Sequence, residues 1–146
     1  MAKNPALETL IELATNETDE AAKRLGLAIR ACQDTEQKLT MLLQYRDEYE
    51  ARFQAGLAAG ISAAGYRNFQ LFLEKLDTAI AGQQQIVDNA RLRIANERTQ
   101  WQSSERKRIS YDTLSTRAQQ VEERKANKRD QKLMDEFAIR QANYKR

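Results

Sequence analysis

From Leu7 to Phe53 an apolar or small residue returns at alternating spacings of three and four, almost without a break. With Ile11, Thr18, Leu25, Cys32, Leu39, Arg46 and Phe53 at the a positions, the d positions are Leu7, Ala14, Ala21, Ala28, Thr35, Leu42 and Tyr49. Only Thr18, Thr35 and Arg46 interrupt this seam. The stripe is too narrow and too long to wrap a globular core, and it specifies helices supercoiled along their length. Such a pair offers no deep concave pocket for chemistry.

The seam resumes after three closely spaced glycines. Phe69, Leu73, Leu76, Ile80, Gln83, Val87, Ala90, Ile94, Glu97 and Trp101 continue the same alternation. Beyond them Ser104 and Arg108 take the next positions, and apolar residues return out of phase at Tyr111, Leu114, Ala118 and Val121, a slip that would locally change the supercoil. The chain therefore reads as all-α, two long helices in an antiparallel coiled-coil hairpin forming one domain over 1–146. Asn4 caps the first helix and Pro5 takes its first position, where a missing N–H costs nothing. Acid-first pairs at i, i+4 support the exposed face: Asp19 with Lys23, Glu20 with Arg24, Asp34 with Lys38, Glu48 with Arg52. The first helix is expected over about 5–54. Gly56, Gly60 and Gly65 mark a turn over about 55–68, with Asn68 as the next cap, and the second helix is expected over about 69–140. The alanines between these glycines also allow a tighter reversal.

At a rise of about 1.5 Å per residue the two helices differ by roughly 30 Å, so Leu7 is expected near residue 116. Residues beyond about 117 then overhang with no intramolecular partner. That segment is polar from Glu122 to Lys132 and apolar at Leu133, Met134, Phe137, Ala138 and Ile139. Apolar residues on an unpaired helical end point to another protein.

Composition narrows the chemistry. One proline and five glycines in 146 residues suit long helices, and 7% aromatics are too few for a β-sandwich core. There is no histidine, and no glycine-rich phosphate loop of the GxxxxGK[ST] or GxGxxG type occurs. Most carboxylates stand beside Lys or Arg on helix faces. No catalytic residue, cofactor or metal is expected. The N-terminus has no apolar signal region, no stretch is apolar enough to span a bilayer, and the lone Cys32 fits a reducing compartment, so a cytoplasmic protein is expected.

Four features admit more than one reading. Cys32, on the seam, reads as a small buried hydrophobe or as a reactive thiol; Trp101 reads as a core anchor or a docking aromatic. Arg46 either snorkels out or pairs across the hairpin and fixes register. Charge is uneven: residues 1–73 hold eight Lys/Arg and ten Asp/Glu, residues 74–146 sixteen and eleven, with the excess between Ala90 and Arg129. The tracts Arg106-Lys107-Arg108, Arg124-Lys125 and Lys128-Arg129 read as a solvated face, as a surface for an acidic protein, or as phosphate contacts. A basic-zipper arrangement does not fit, because the seam precedes the basic tract and a turn separates them.

The start of the second helix carries a wider stripe. Phe72, Leu76, Ala79 and Gln83 form a ridge at i, i+4, i+7, i+11 beside the seam. A third helix or a partner surface would bury it; self-association, or cover from the glycine-rich turn, would do so equally well.

With these residues placed, the chain resembles the FliJ family, the small coiled-coil component of the bacterial flagellar type III export apparatus. The likeness lies in Ala6-Leu7-Glu8-Thr9-Leu10, Ala21-Ala22 with Leu25-Gly26, Met41-Leu42 with Tyr45 and Glu48-Tyr49, Gly60-Ile61, and Asp130-Gln131-Lys132 with Met134-Asp135-Glu136-Phe137-Ala138. The resemblance implies a non-enzymatic protein similar to a rotary ATPase stalk, cytoplasmic and peripheral to the inner membrane at the flagellar base. It implies that the helix ends, with Leu7, Leu10, Asp130, Gln131, Leu133, Met134, Glu136 and Phe137, insert into the hexameric export ATPase ring. It further implies that Phe72, Leu76, Ala79 and Gln83 meet the cytoplasmic part of the export-gate membrane protein, with Gln83 standing where a ring-bearing side chain is expected. Export chaperones are a third implied partner, and nucleic acid is not one. A nucleic-acid-binding coiled coil using the 90–129 tract is the alternative.

Overall fold

The computed structural model describes residues 4–145. It has two elements, helix α1 (Pro5–Ala59) and helix α2 (Ala63–Tyr144), and no strand among the described residues. The helices pack against each other as an all-α hairpin. Asn4 caps α1 as its sequence position suggests: its Oδ1 accepts the Ala6 N–H at 3.1 Å, and its main-chain oxygen accepts that of Glu8 at 3.0 Å.

The reversal is far shorter than the glycine spacing suggests. Only Gly60, Ile61 and Ser62 leave the helices, so α1 runs on to Ala59 and α2 begins at Ala63 instead of Phe69. Ala55, Ala58, Ala59, Ala63 and Ala64 are strong helix formers and carry both helices through Gly56 and Gly65. Gly60 closes α1 with φ +86°, a left-handed conformation that only glycine adopts without strain. Ser62, not Asn68, is the cap of α2, its Oγ accepting the Gly65 N–H at 3.1 Å. Ile61 folds back over α1: a Cβ on Gly56 would meet its Cγ2 at 3.1 Å. Asn68 is exposed inside α2.

The described chain falls into two compact units. One is Glu20–Trp101; the other joins the chain up to Asp19 with the chain from Gln102 on.

In the unit around the turn, each seam position of α1 from Ala21 to Phe53 is buried or half-buried, and so is each α2 position from Phe69 to Trp101. Next to the turn the seam is aromatic. Phe53 lies 5.3 Å from Phe69 and 5.4 Å from Tyr66 between ring centroids, and Tyr49 lies 5.1 Å from Phe69 and 4.3 Å from Phe72. Further along, Ala21, Ala28, Cys32 and Val87 are covered almost completely, small side chains letting the two backbones approach. Cys32 is therefore a packed hydrophobe, its thiol pushed up first by burial and then by its contact with the Glu36 carboxylate. Trp101 is half-buried on the seam. Arg46 pairs across the hairpin with Asp77 and along its own helix with Glu50 at 2.9 Å. Arg24–Glu97 at 3.3 Å and Arg91–Glu36 at 3.4 Å add cross-helix pairs on the same unit. Of the acid-first pairs, Lys23 turns instead to Glu20, and Arg24 to Glu97.

The second unit has a polar seam. On α1 Leu7, Ile11, Ala14, Thr15 and Thr18 are covered or half-covered; on α2 Ser104, Arg108, Tyr111 and Ser115 are. These α2 residues keep the alternation of three and four set by Phe69 to Trp101. Burial does not slip after Trp101: Tyr111 lies in phase, Leu114 and Val121 stay outside, and only the apolar character lapses. The polar groups are satisfied locally. Thr18 Oγ1 donates to the Ala14 carbonyl and Thr15 Oγ1 to that of Ile11, each at 2.8 Å. Arg108 is held by Glu105 and by Asp112 at 3.0 Å, while Lys107 reaches Glu17 at 3.8 Å. That last pair sets Leu7 level with Arg117. The half-buried positions run to Glu122, and from residue 123 to the end every described residue is exposed.

Candidate functional site

Among the described residues, each unit carries an exposed apolar patch. Around the turn, Phe72 is half-buried, its ring in a T-shaped contact with that of Tyr45 at 6.1 Å, and Tyr45 remains 46% exposed. Beside it Met41 is 66% exposed, and Lys38, Met41, Leu42, Tyr45 and Gln83 line a shallow, mostly apolar groove of about 400 Å³. Ala79 is exposed on α2. The patch thus draws on both helices, not on one ridge.

The four α2 ridge residues differ in what they offer a partner. Phe72 is half-buried and Ala79 is exposed. Leu76 is 7% exposed and belongs to the hairpin interior. Gln83 is half-buried, its Nε2 donating to the Thr35 carbonyl at 3.0 Å across the helices. A helix pair in register brings α1 residues to the same face, and sequence reasoning confined to α2 passed over Lys38, Met41, Leu42 and Tyr45. Their own spacing of three and four, level with Phe72 to Gln83 once the helices fold back, is the signal that finds them.

In the other unit, Leu133, Met134 and Phe137 stand at i, i+1, i+4 on α2 and are each more than 60% exposed. Asp130, Gln131 and Glu136 beside them are exposed as well. On α1 Leu10 is 42% exposed, whereas Leu7 is half-buried on the seam. Burying a leucine or phenylalanine side chain is worth about 1.5–3 kcal/mol, so three such residues in water form a surface that gains from being covered.

Among the described residues no group of three or more carboxylate or thiol side chains is placed to hold a metal ion. The perturbed groups are structural: Arg46 and Arg108 are raised by hydrogen bonds to Asp77 and Glu105 respectively, and Glu105 is lowered by the Arg108 guanidinium. No helix is long and apolar enough to cross a membrane among the described residues.

Known proteins match this chain along nearly its whole length. The family described as "Flagellar FliJ protein" covers residues 3–146. The chain is 34% identical over 142 residues to the Flagellar FliJ protein of Escherichia coli (strain K12), spanning 97% of each sequence. It is likewise 34% identical over 142 residues to the Flagellar FliJ protein of Salmonella typhi, again across 97% of each. A helical hairpin with two exposed patches and a match of this extent place the chain in the flagellar FliJ family.

Proposed function

We propose that this chain is a non-enzymatic coupling component of flagellar protein export, standing between the hexameric export ATPase and the membrane export gate. The observation that carries the reading is the exposure of Leu133, Met134 and Phe137 on a helix segment with no α1 residue over it. An opening in a ring is a partner that covers such a segment. Asp130, Gln131 and Glu136 supply the polar border of that contact, while Leu10 and the seam residue Leu7 lie at the end of α1, below the overhang.

The Phe72 patch is the surface for the cytoplasmic part of the gate protein. Tyr45, Met41, Phe72 and Ala79 make the contact; Leu76 and Gln83 hold the helices that present it. This assignment gives the two partners separate sets of residues, one in each unit. Escort of empty export chaperones is compatible with the remaining exposed α1 face. The protein then works on the cytoplasmic side of the inner membrane, with no cofactor.

Two double variants separate the surfaces. L133A/F137A should lose binding to the purified export ATPase and keep binding to the gate's cytoplasmic domain. Y45A/A79D should do the reverse. If each variant weakens both partners equally, the two-surface reading fails.

A further inference from the structure

The two units differ in where their polar side chains find partners. In Glu20–Trp101 the bonds cross the hairpin: Arg24 reaches Glu97 at 3.3 Å, Arg91 reaches Glu36 at 3.4 Å, Arg46 reaches Asp77, and Gln83 holds the Thr35 carbonyl at 3.0 Å. In the unit that joins the chain up to Asp19 with the chain from Gln102, they turn back into their own helix. Thr15 and Thr18 donate to carbonyls four residues earlier on α1. Arg108 is held by Glu105 and Asp112, both on α2. Its charged form is favoured first by the hydrogen bond to Glu105, and least by Asp19 on the other helix. Between described residues one ion pair crosses here, Lys107 to Glu17 at 3.8 Å, and both side chains are more than half exposed, where such a pair adds little.

Apolar cover is just as uneven. Ala21, Ala28, Cys32, Phe53, Leu76 and Val87 are buried in Glu20–Trp101. Among the described residues of the other unit Ala14 and Thr18 alone are buried, with Leu7, Ile11 and Tyr111 half-buried. Parting the helices there breaks one exposed ion pair and leaves Thr15, Thr18 and Arg108 with the partners named above. Parting them between Glu20 and Trp101 would break four cross-helix bonds and open the aromatic seam. Proteins open in cooperative pieces, and the piece with few buried contacts opens at the lowest free energy.

We infer that α1 up to Asp19, about four turns, is a strap that leaves α2 as one piece while Glu20–Trp101 stays paired. Its release uncovers Ser104, Arg108, Tyr111 and Ser115 on α2, and frees Leu7, Ile11 and Ala14 beside the exposed Leu10 and Leu13. A detached helix of this length is marginal in water, so the strap's main-chain amides meet solvent each time it opens. Strap opening is a property of the chain by itself and needs none of the partners proposed above.

The test uses the full-length protein under native conditions. Hydrogen exchange should show α1 residues 9–19 exchanging together, at least about tenfold faster than residues 25–50, with a weaker urea dependence than global unfolding has. Equal protection in the two stretches would overturn the strap. So would protection that falls away residue by residue toward Pro5, the pattern of a fraying helix end. A thiol reading makes the same comparison inside one molecule. Cys32 is buried in Glu20–Trp101, and Ala14→Cys puts a second thiol at a buried seam position of the strap. N-ethylmaleimide should modify the introduced thiol at least about tenfold faster than Cys32, each site being read from its own peptide. Both thiols reacting at one rate would mean that the hairpin opens only as a whole. A fast introduced thiol beside slow exchange of 9–19 in the unaltered chain would trace the opening to the new side chain, and the strap would fall.

Discussion

Gln83 reaches across the hairpin from α2 to the main-chain carbonyl of Thr35 on α1, donating from Nε2 at 3.0 Å. The bond fixes Gln83 to the seam at the border of the exposed patch. It separates residues that build this face from residues that a partner can touch.

The separation predicts different outcomes for neighbouring substitutions. Leu76→Ala should cost about 2–4 kcal/mol of stability, because it empties an interior site that is 7% exposed. Ala79→Asp should leave stability within about 0.5 kcal/mol and still abolish gate binding. Gln83→Leu should raise the urea midpoint by filling a seam position with an apolar side chain. Urea melts beside pull-downs on the gate's cytoplasmic domain check all three. Gate binding that simply follows stability across the series would show that the patch is core.

The turn yields a sharper prediction. Gly60 holds φ at +86°, so Gly60→Ala forces a side chain into the left-handed region and should cost about 1 kcal/mol or more. Gly26, with open space around its Cβ position and an ordinary helical backbone, should gain up to about 1 kcal/mol on change to alanine. Thermal melts of the two variants should therefore move in opposite directions.

Arg108 and Glu105 make the polar seam acid-sensitive. The Arg108 guanidinium holds Glu105 below its ordinary 4.5, so the stability this group adds is fully present above that value. It disappears as pH falls through the depressed folded value, where Glu105 takes up a proton in both states. Glu105→Gln should lower the urea midpoint at pH 7, and the gap to wild type should close as the pH falls below 4.5. A gap independent of pH would mean that the pair contributes through packing alone.

The fourteen seam positions of α1 were legible in the sequence because spacing alone fixes which residues of a helix share a face, and all of them are buried or half-buried. Arg46 shows the same legibility for a polar residue: a charge on the seam needs a partner, and Asp77 is there. The turn was legible only as the second of two readings, the tighter reversal that the alanines allow. Three glycines signal flexibility, but only Gly60 sits where a positive φ is required, and alanine propensity carries the helices through Gly56 and Gly65. Tyr111 was misplaced for a related reason, since following apolar character loses a seam whose next occupants are Ser104 and Arg108. The Phe72 patch was half legible: its α2 residues form a ridge in sequence, but Met41 and Tyr45 join them only once the two helices are in register.

The central claim is that the exposed end of α2 serves a partner and not the fold. Truncation after Glu123 removes Leu133, Met134 and Phe137, together with a segment in which every described residue is exposed. The measurement is the ATP hydrolysis rate of the purified export ATPase with full-length or truncated protein, beside a thermal melt of each. The account predicts a truncated hairpin with nearly unchanged melting that no longer stimulates the ATPase. Full stimulation by the truncated protein would contradict it, and so would unfolding of the hairpin once the segment is gone.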